Sequence, residues 1–512
     1  MREHGDVHAS PRRLAVAGAV TGLAGVAASD VTTSVLSQQA TPVQAMAEVV
    51  IDHTPGAVVE ALVGLVGRHD KPLLAAGIVV VVVLLGAVAG LLAGRRVLLG
   101  HLVFWLVAAV ALVVVLTRPG SSQFAVLPVA VAVLVWTVVL DWLVRVARVP
   151  SEPAPEQERA SRRRFLVTAG GVAVGAVVLG TAGRVVGRTR RAVEASRALL
   201  RLPVSRGRVP AGAELGLAGA TPWRVSGRDF YRIDTAVVVP AVDPAEWRLR
   251  IHGLVDRELT LTYRQLLDRS LTEAWVTLCC VSNEVGGDLI GNAWWSGVRV
   301  ADLLREAGVQ DGADAVKQTS HDGWTCGTPL SALTDDRVAM LAVAMNGEPL
   351  PVEHGFPVRM VVPGLYGYVS ATKWVTDLEV TRYDDFSAFW TDRGWSAKGP
   401  VKTESRIEVP RGGADVTAGS VRVGGQAWAQ HTGIAKVEYR LDGDAWREAE
   451  LGRVPGADTW VQWAGTVQVD PGKHTLAVRA TDRGGYTQTA ARADVVPNGA
   501  TGWHTVDFRA QG

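Results

Sequence analysis

Trp275-Val-Thr-Leu-Cys-Cys-Val-Ser-Asn-Glu-Val-Gly-Gly287 holds two of the three cysteines in a chain of 512 residues. The run Ala274-Trp-Val-Thr-Leu278 is β-like, and side chains alternate faces along a strand. Adjacent thiols at its end, Cys279 and Cys280, therefore point to opposite sides. One can face a cofactor while the other packs. Three cysteines, two of them adjacent, make no disulfide framework. They also lack the paired Cys/His spacing of a structural zinc site.

Length and charge bound what surrounds this stretch. A chain of this size accommodates about three or four domains. Its 52 basic and 50 acidic side chains give no basic excess for a nucleic-acid surface.

The first third is apolar. Residues 14–29 form a short apolar run. Residues 73–94, 97–116, 124–140 and 165–183 are nearly uncharged over lengths close to the roughly 20 residues of a bilayer crossing. Runs such as Ile78-Val-Val-Val-Val-Val-Leu-Leu85 favour lipid over a soluble core. The pattern predicts an α-helical bundle of about five transmembrane spans over residues 1–187. Arg12 and Arg13 precede the first span, Arg95-Arg96 separate the second and third, and Arg145, Arg148 and Arg159 follow the fourth. The loop after the third carries only Arg118, and residues 30–72 carry Asp30, Glu48, Asp52 and Glu60. Basic loops stay cytoplasmic, so the N-terminus is expected inside and everything after about residue 187 outside. Ser161-Arg162-Arg163-Arg164-Phe165-Leu166, entering the fifth span, has the form of a twin-arginine export signal. A b-type haem needs two axial ligands, and only His101 lies inside an expected span. The bundle reads as an anchor or docking surface with no haem. Asp141 reads as an interfacial residue.

Residues 188–222 are basic and then rich in Gly, Ala and Pro, as in a linker. From 223 to 398 short alternating strands and amphipathic helices predict an α+β domain. Trp247-Arg-Leu-Arg-Ile251 alternates, and Leu261-Thr-Tyr-Arg-Gln-Leu-Leu267 starts a helix behind a capping Thr. From 399 to 512 the pattern is all-β. Lys436-Val-Glu-Tyr-Arg-Leu441 ends at the hairpin signal Asp442-Gly443, and His474-Thr-Leu-Ala-Val-Arg-Ala480 follows Pro471-Gly472.

Three patches carry a resemblance. They are Phe230-Tyr-Arg232 with Asp243-Pro-Ala-Glu-Trp-Arg-Leu-Arg-Ile-His-Gly253; Thr277-Leu-Cys-Cys-Val-Ser-Asn283 with Gly291-Asn-Ala-Trp-Trp-Ser-Gly-Val298; and Asn346-Gly-Glu-Pro-Leu-Pro351 through His354-Gly-Phe-Pro-Val-Arg359 to Lys373-Trp374. Together they resemble the sulfite oxidase family of molybdopterin-dependent oxidoreductases, over roughly residues 223–512. The resemblance implies a molybdopterin-binding α+β catalytic domain followed by an immunoglobulin-like dimerisation sandwich. It implies a molybdenum–molybdopterin cofactor, with Cys280 as thiolate ligand and Cys279 packed beside it. A soft sulfur donor suits such a centre. His354 (a ring donor), Arg359 and Lys373 match cofactor-contacting positions, as do Tyr231, Arg232, Asn283, Ser320 and Ser370. Arg232 and Trp395 stand among the catalytic positions, Trp395 being the nearest match to a tyrosine that relatives present to the metal.

The resemblance also has a gap. Where relatives follow the ligand loop with an arginine pair that binds anionic sulfite, this chain has Glu284-Val285. A carboxylate there reverses the local electrostatics. The expectation is a membrane-anchored oxidoreductase transferring an oxygen atom and two electrons on a small substrate outside the cytoplasm. Its electrons would pass to or from a cytochrome or quinone-linked membrane partner. A reductase of S- or N-oxides, and a non-catalytic membrane scaffold, are the rival readings.

Overall fold

The computed structural model describes residues 7–36, 40–55, 58, 70–117, 124–150, 155–185, 188–236 and 238–512. Glu60, Arg118 and the expected boundary at residue 187 lie outside the described residues. Two compact units form. One is Met1–Glu194 with the loop Thr235–Ala241, the other Ala195–Asp234 with Val242–Gly512.

The first unit is helical: α1 Pro11–Val35, α2 Pro42–His53, α3 Asp70–Arg95, α4 Val97–Thr117, α5 Val126–Ala147 and α6 Pro155–Val185. Among the described residues four helices, α1, α3, α4 and α5, are long and apolar enough to cross a membrane. The fifth expected span falls inside α6, whose first turns carry the charged Glu156-Gln-Glu-Arg-Ala-Ser-Arg-Arg-Arg164. α1 has the least apolar sequence of the four and is the most enclosed. Thr21, Ser29, Asp30 and Thr33 are buried in it, which fits a helix that faces other helices and not lipid. Small residues allow the close approach: a Cβ on Gly22 would come within 3.0 Å of the Val82 carbonyl oxygen of α3. The His101 ring in α4 lies 3.0 Å from an Asp141 carboxylate oxygen in α5. Asp141, expected at an interface, is thus one half of a polar pair that joins two helices. At the start of α3, Lys71 Nζ donates to the Ala236 carbonyl at 2.8 Å.

The second unit is rich in strands. β1 Arg248–Gly253, β2 Leu259–Thr262, β3 Thr272–Cys279, β4 Ile290–Arg299, β5 Ala315–Ser320, β6 Thr325–Pro329, β7 Met340–Met345, β8 Arg359–Val361 and β9 Val375–Thr381 form two sheets. One runs β7-β4-β3, with β8 also on β7; the other runs β2-β1-β9-β5-β6, with β1 and β9 parallel. The expected helix Tyr263–Leu267 is present, and Thr262 and Gln265 close a reciprocal capping box at its start. Buried tryptophans fasten these layers, since an indole N–H needs a partner when enclosed. Trp247 Nε1 donates to the Val375 carbonyl at 2.8 Å, Trp374 Nε1 to Val352 at 3.0 Å and Trp295 Nε1 to Val276 at 3.1 Å.

Residues 404–511 form two further sheets, of four and five strands. Their inward side chains share one core that includes Val423, Trp463, Val478 and Phe508. The expected hairpin turn has Asp442 at φ 50° and Gly443 at φ 82°, the left-handed pair that a two-residue hairpin requires. The stretch 188–222 holds a helix, Arg188–Leu199, followed by an irregular strap. The strap is bonded along the sandwich: Leu215 N–H to Gln462 Oε1 at 2.6 Å, and Thr221 N–H to Glu408 Oε2 at 2.8 Å. Trp223 and Trp460 each donate an indole N–H to the other's carbonyl, at 3.2 and 2.9 Å.

Candidate active site

β3 carries the cysteines to the end of its sheet. Thr277, three residues earlier, is bonded at every polar atom. Its N–H donates to Asp458, its hydroxyl donates to Asn292 Oδ1 at 3.0 Å and accepts Trp460 N–H at 2.8 Å, and its carbonyl accepts from Gln430. The chain then turns sharply, with Cys280 N–H donating to the Leu289 carbonyl and Asn283 N–H to the Cys280 carbonyl.

The two thiols sit in different surroundings. Burial pushes Cys279 well above its ordinary range, Glu404 and Cys280 add to the shift, and Arg406 opposes it. Burial also raises Cys280, but there the backbone and side chain of Ser282 and the backbone of Val281 offer hydrogen bonds that favour the thiolate. Of the adjacent pair, Cys280 is the one with donors arranged for a sulfur anion; Cys326, elsewhere in the unit, has Thr372 and Thr328. The Tyr231 phenol feels both thiols, which raise it further beyond the effect of burial, and Arg359, which lowers it. Tyr231, Cys280 and Arg359 therefore share one electrostatic neighbourhood.

Arg359 is 5% exposed, and burial lowers its guanidinium to about 10. It donates to the carbonyls of Met360, His354 and Ala371 and lies over the Trp295 ring. Among the described residues no carboxylate pairs with it. Lys373 Nζ donates to Asp234 Oδ2 at 2.8 Å and to the Glu353 carbonyl at 3.3 Å. Burial lowers Lys373 to about 8 against the pull of Asp234. Arg232, partly exposed, donates from Nε to the same Asp234 oxygen at 3.0 Å.

His354 differs from expectation. Its Nε2–H is committed to the Gly227 carbonyl at 2.8 Å, and burial with Arg359 and Lys373 lowers it to about 4. The ring is neutral, so its free nitrogen is an acceptor and not the donor expected. The Ser370 hydroxyl donates to the Tyr366 carbonyl at 2.8 Å. Asn283 Nδ2 and Ser320 Oγ, by contrast, are buried with no hydrogen-bond partner among the described residues. Trp395 packs with Tyr368 and Trp390, its indole N–H also buried and unpartnered. None of its hydrogen bonds or ring contacts among the described residues involves the cysteine pair or the cations. Glu284 is exposed and Val285 half-buried.

Sequence reading missed Asp234. Its signal was present in Arg232-Ile-Asp234, since alternate residues of an extended segment share a face. Trp295 as the floor beneath Arg359 was also missed.

A buried cation without a carboxylate, a thiol with thiolate-directed donors, and two buried unsatisfied donors fit an anionic, oxygen-rich, sulfur-ligated cofactor. Residues 236–390 match the family model described as the oxidoreductase molybdopterin binding domain. Cys280, Asn283, Ser320, His354, Arg359, Ser370 and Lys373 fall inside that span; Tyr231, Arg232 and Trp395 fall outside. An uncharacterized oxidoreductase of Bacillus subtilis, YuiH, is 35% identical over 157 residues, covering 31% of this chain and 76% of that one. Human mitochondrial sulfite oxidase is 30% identical over 297 residues, covering 48% of this chain and 54% of that one. The chain thus spans about half the length of the mammalian sulfite oxidases it matches. The solved sulfane dehydrogenase SoxCD of Paracoccus pantotrophus shares the fold, with TM-score 0.50 and 24% identity over 58% of this chain and 85% of that one. With the thiolate site, the cation group and these relatives in agreement, the chain belongs to the sulfite oxidase family of molybdopterin-dependent oxidoreductases.

Proposed function

We propose that this protein is a membrane-anchored molybdenum enzyme that transfers an oxygen atom and two electrons on a small substrate outside the cytoplasm. The observation that carries the reading is Cys280: of two adjacent buried thiols, it alone has donors arranged for a thiolate, from Ser282 and Val281. When bound, the molybdopterin cofactor supplies the oxygen-transfer and redox chemistry. Cys280 would ligate the metal. Arg359 and Lys373 would hold the phosphate, and Arg232 joins them through Asp234. The free nitrogen of neutral His354 would accept a hydrogen bond from the pterin, while Asn283 Nδ2 and Ser320 Oγ would donate. Tyr231 would border the metal side, and Trp395 would offer its indole N–H toward substrate.

Within this activity, the exposed Glu284 beside Val285 favours a neutral S- or N-oxide over anionic sulfite, because a carboxylate at the approach repels a like charge. The anchor is α1, α3, α4 and α5, with α6 as a fifth crossing behind the twin-arginine segment. An extracytoplasmic site is supported by the arginine pattern of the first third of the chain, in which Arg95 and Arg96 mark a cytoplasmic end of α3. The C-terminal sandwich is read as an immunoglobulin-like dimerisation module. The electron partner is read as a cytochrome or quinone-linked membrane protein.

Metal and pterin analysis of purified full-length protein tests the core of this reading. Wild type and Cys279→Ala should carry about one molybdenum per chain, by the one-thiolate ligand set proposed, and Cys280→Ala should carry none. Molybdenum retained undiminished in Cys280→Ala would remove the assignment. For topology, lysines at Arg162 and Arg163 should strand a C-terminal reporter inside the cell; unchanged export would refute the twin-arginine role.

A further inference from the structure

Asp234 lies outside every motif that pointed to the cofactor, yet two cations converge on it. Its side chain is 5% exposed, and its Oδ2 accepts from both Lys373 Nζ and Arg232 Nε. Lys373 spends a second N–H on the Glu353 carbonyl, and its ammonium lies 4.8 Å from the Trp374 ring. That geometry fixes two of three donors and leaves one to meet a ligand.

We propose that Asp234 is a positioning residue for the cofactor's anion site, holding Lys373 charged and aimed at the incoming phosphate. The inference rests on the molybdopterin reading above. The groups facing Lys373 explain why a partner is needed. Burial, Arg359 and Arg232 all disfavour its proton, and His354 is neutral. Asp234 is the acid that holds the proton in place, through both its charge and its hydrogen bond. A lysine that has lost its proton cannot bind phosphate as a cation. Cofactor retention should therefore fall as pH rises through about 8. Without the carboxylate, the same loss should occur at lower pH.

The test compares wild type, Asp234→Asn, Asp234→Glu, Lys373→Arg and the Asp234→Asn/Lys373→Arg double variant, all as full-length protein. Pterin and molybdenum contents are measured after dialysis between pH 6 and 10, with a thermal melt of each cofactor-free protein. Asp234→Asn should move the midpoint of pterin loss down by at least about one pH unit, equivalent to roughly tenfold weaker charging of the lysine. Asp234→Glu should restore part of that shift. Arginine stays protonated without help, so Lys373→Arg alone should flatten the pH dependence, and the double variant should regain pterin at pH 7.5. Wild-type retention in Asp234→Asn, or failure of arginine to restore it in the double variant, would overturn the proposal. If Asp234→Asn does not fold, Lys373→Arg alone decides, and a pH midpoint unchanged from wild type refutes the role. Wild type devoid of pterin at every pH would refute the cofactor reading itself, which is a separate outcome.

Discussion

Arg359 lies 5.1 Å from the centroid of the Trp295 ring and, among the described residues, donates only to backbone carbonyls. Burial lowers its guanidinium from the ordinary arginine range to about 10. At neutral pH the guanidinium stays charged, and holding that charge in the fold costs on the order of 3 kcal/mol relative to the unfolded chain, at about 1.36 kcal/mol per unit. Lost contacts to the ring and carbonyls offset part of the gain on removing that charge. Arg359→Met should leave the cofactor-free protein at least as stable as wild type in chemical denaturation, while abolishing pterin retention. A strongly destabilised apoprotein would show that Arg359 serves the fold before the ligand.

His354 and His504 give the β-rich unit an acid-sensitive edge. Burial lowers both to about 4, helped by Arg359 and Lys373 at His354 and by Arg406 and Arg492 at His504. Both are neutral in the fold, and an unfolded imidazole titrates near 6.5. Their stabilisation is complete above about 6.5 and is lost as pH falls toward about 4. Each should add about 1.4 kcal/mol per pH unit to the slope of unfolding free energy in that window. Unfolding of apoprotein between pH 7 and 4.5 measures it. His354→Gln should remove one histidine's share, and an unchanged slope would refute the neutral-ring reading.

Glu284 should govern charge preference at the site. In Glu284→Arg, turnover of sulfite with an artificial acceptor should rise by about tenfold relative to reduction of a neutral sulfoxide with reduced viologen, since the local charge changes by about two units, from negative to positive. Wild-type sulfite turnover equal to that of an ordinary sulfite oxidase would contradict the proposed preference.

Thr277 is the joint between the cysteine strand and the sandwich. Thr277→Val keeps shape but leaves Asn292 Oδ1 and Trp460 N–H without their hydroxyl partner. Such buried losses cost about 1–3 kcal/mol. The melting temperature should fall, with molybdenum content kept below that temperature. An unchanged melt would mean that the neighbouring groups find other partners.

Much of the fold was legible because strand alternation and turn chemistry act locally. Arg248–Gly253, Ile434–Leu441 and the Asp442-Gly443 turn each follow from a few neighbouring residues. That Cys279 and Cys280 face apart was expected for the same reason, while the choice of Cys280 as ligand came from the resemblance. What was not legible is what depends on distant partners. The donor role expected of His354 is cancelled by the carbonyl of Gly227. The strap at 200–222 has linker composition, yet its backbone finds Gln462 and Glu408, far along the chain. The apolar run 14–29 looked short because it stops at Asp30, which is buried inside the longer helix α1.

The exchanged bonds of Trp223 and Trp460 have a consequence for how the β-rich unit comes apart. Trp460 N–H also bonds to Thr277, and Asn292 Nδ2 donates to the Trp223 carbonyl at 3.1 Å. The strap, the cysteine sheet and the sandwich therefore meet at one buried knot, and none can leave it without exposing unpaired groups of the other two. Cooperativity follows from that arrangement: these parts should melt in a single calorimetric transition. A lesion in the outer sandwich would then lower the population of metal-competent protein as surely as one beside Cys280.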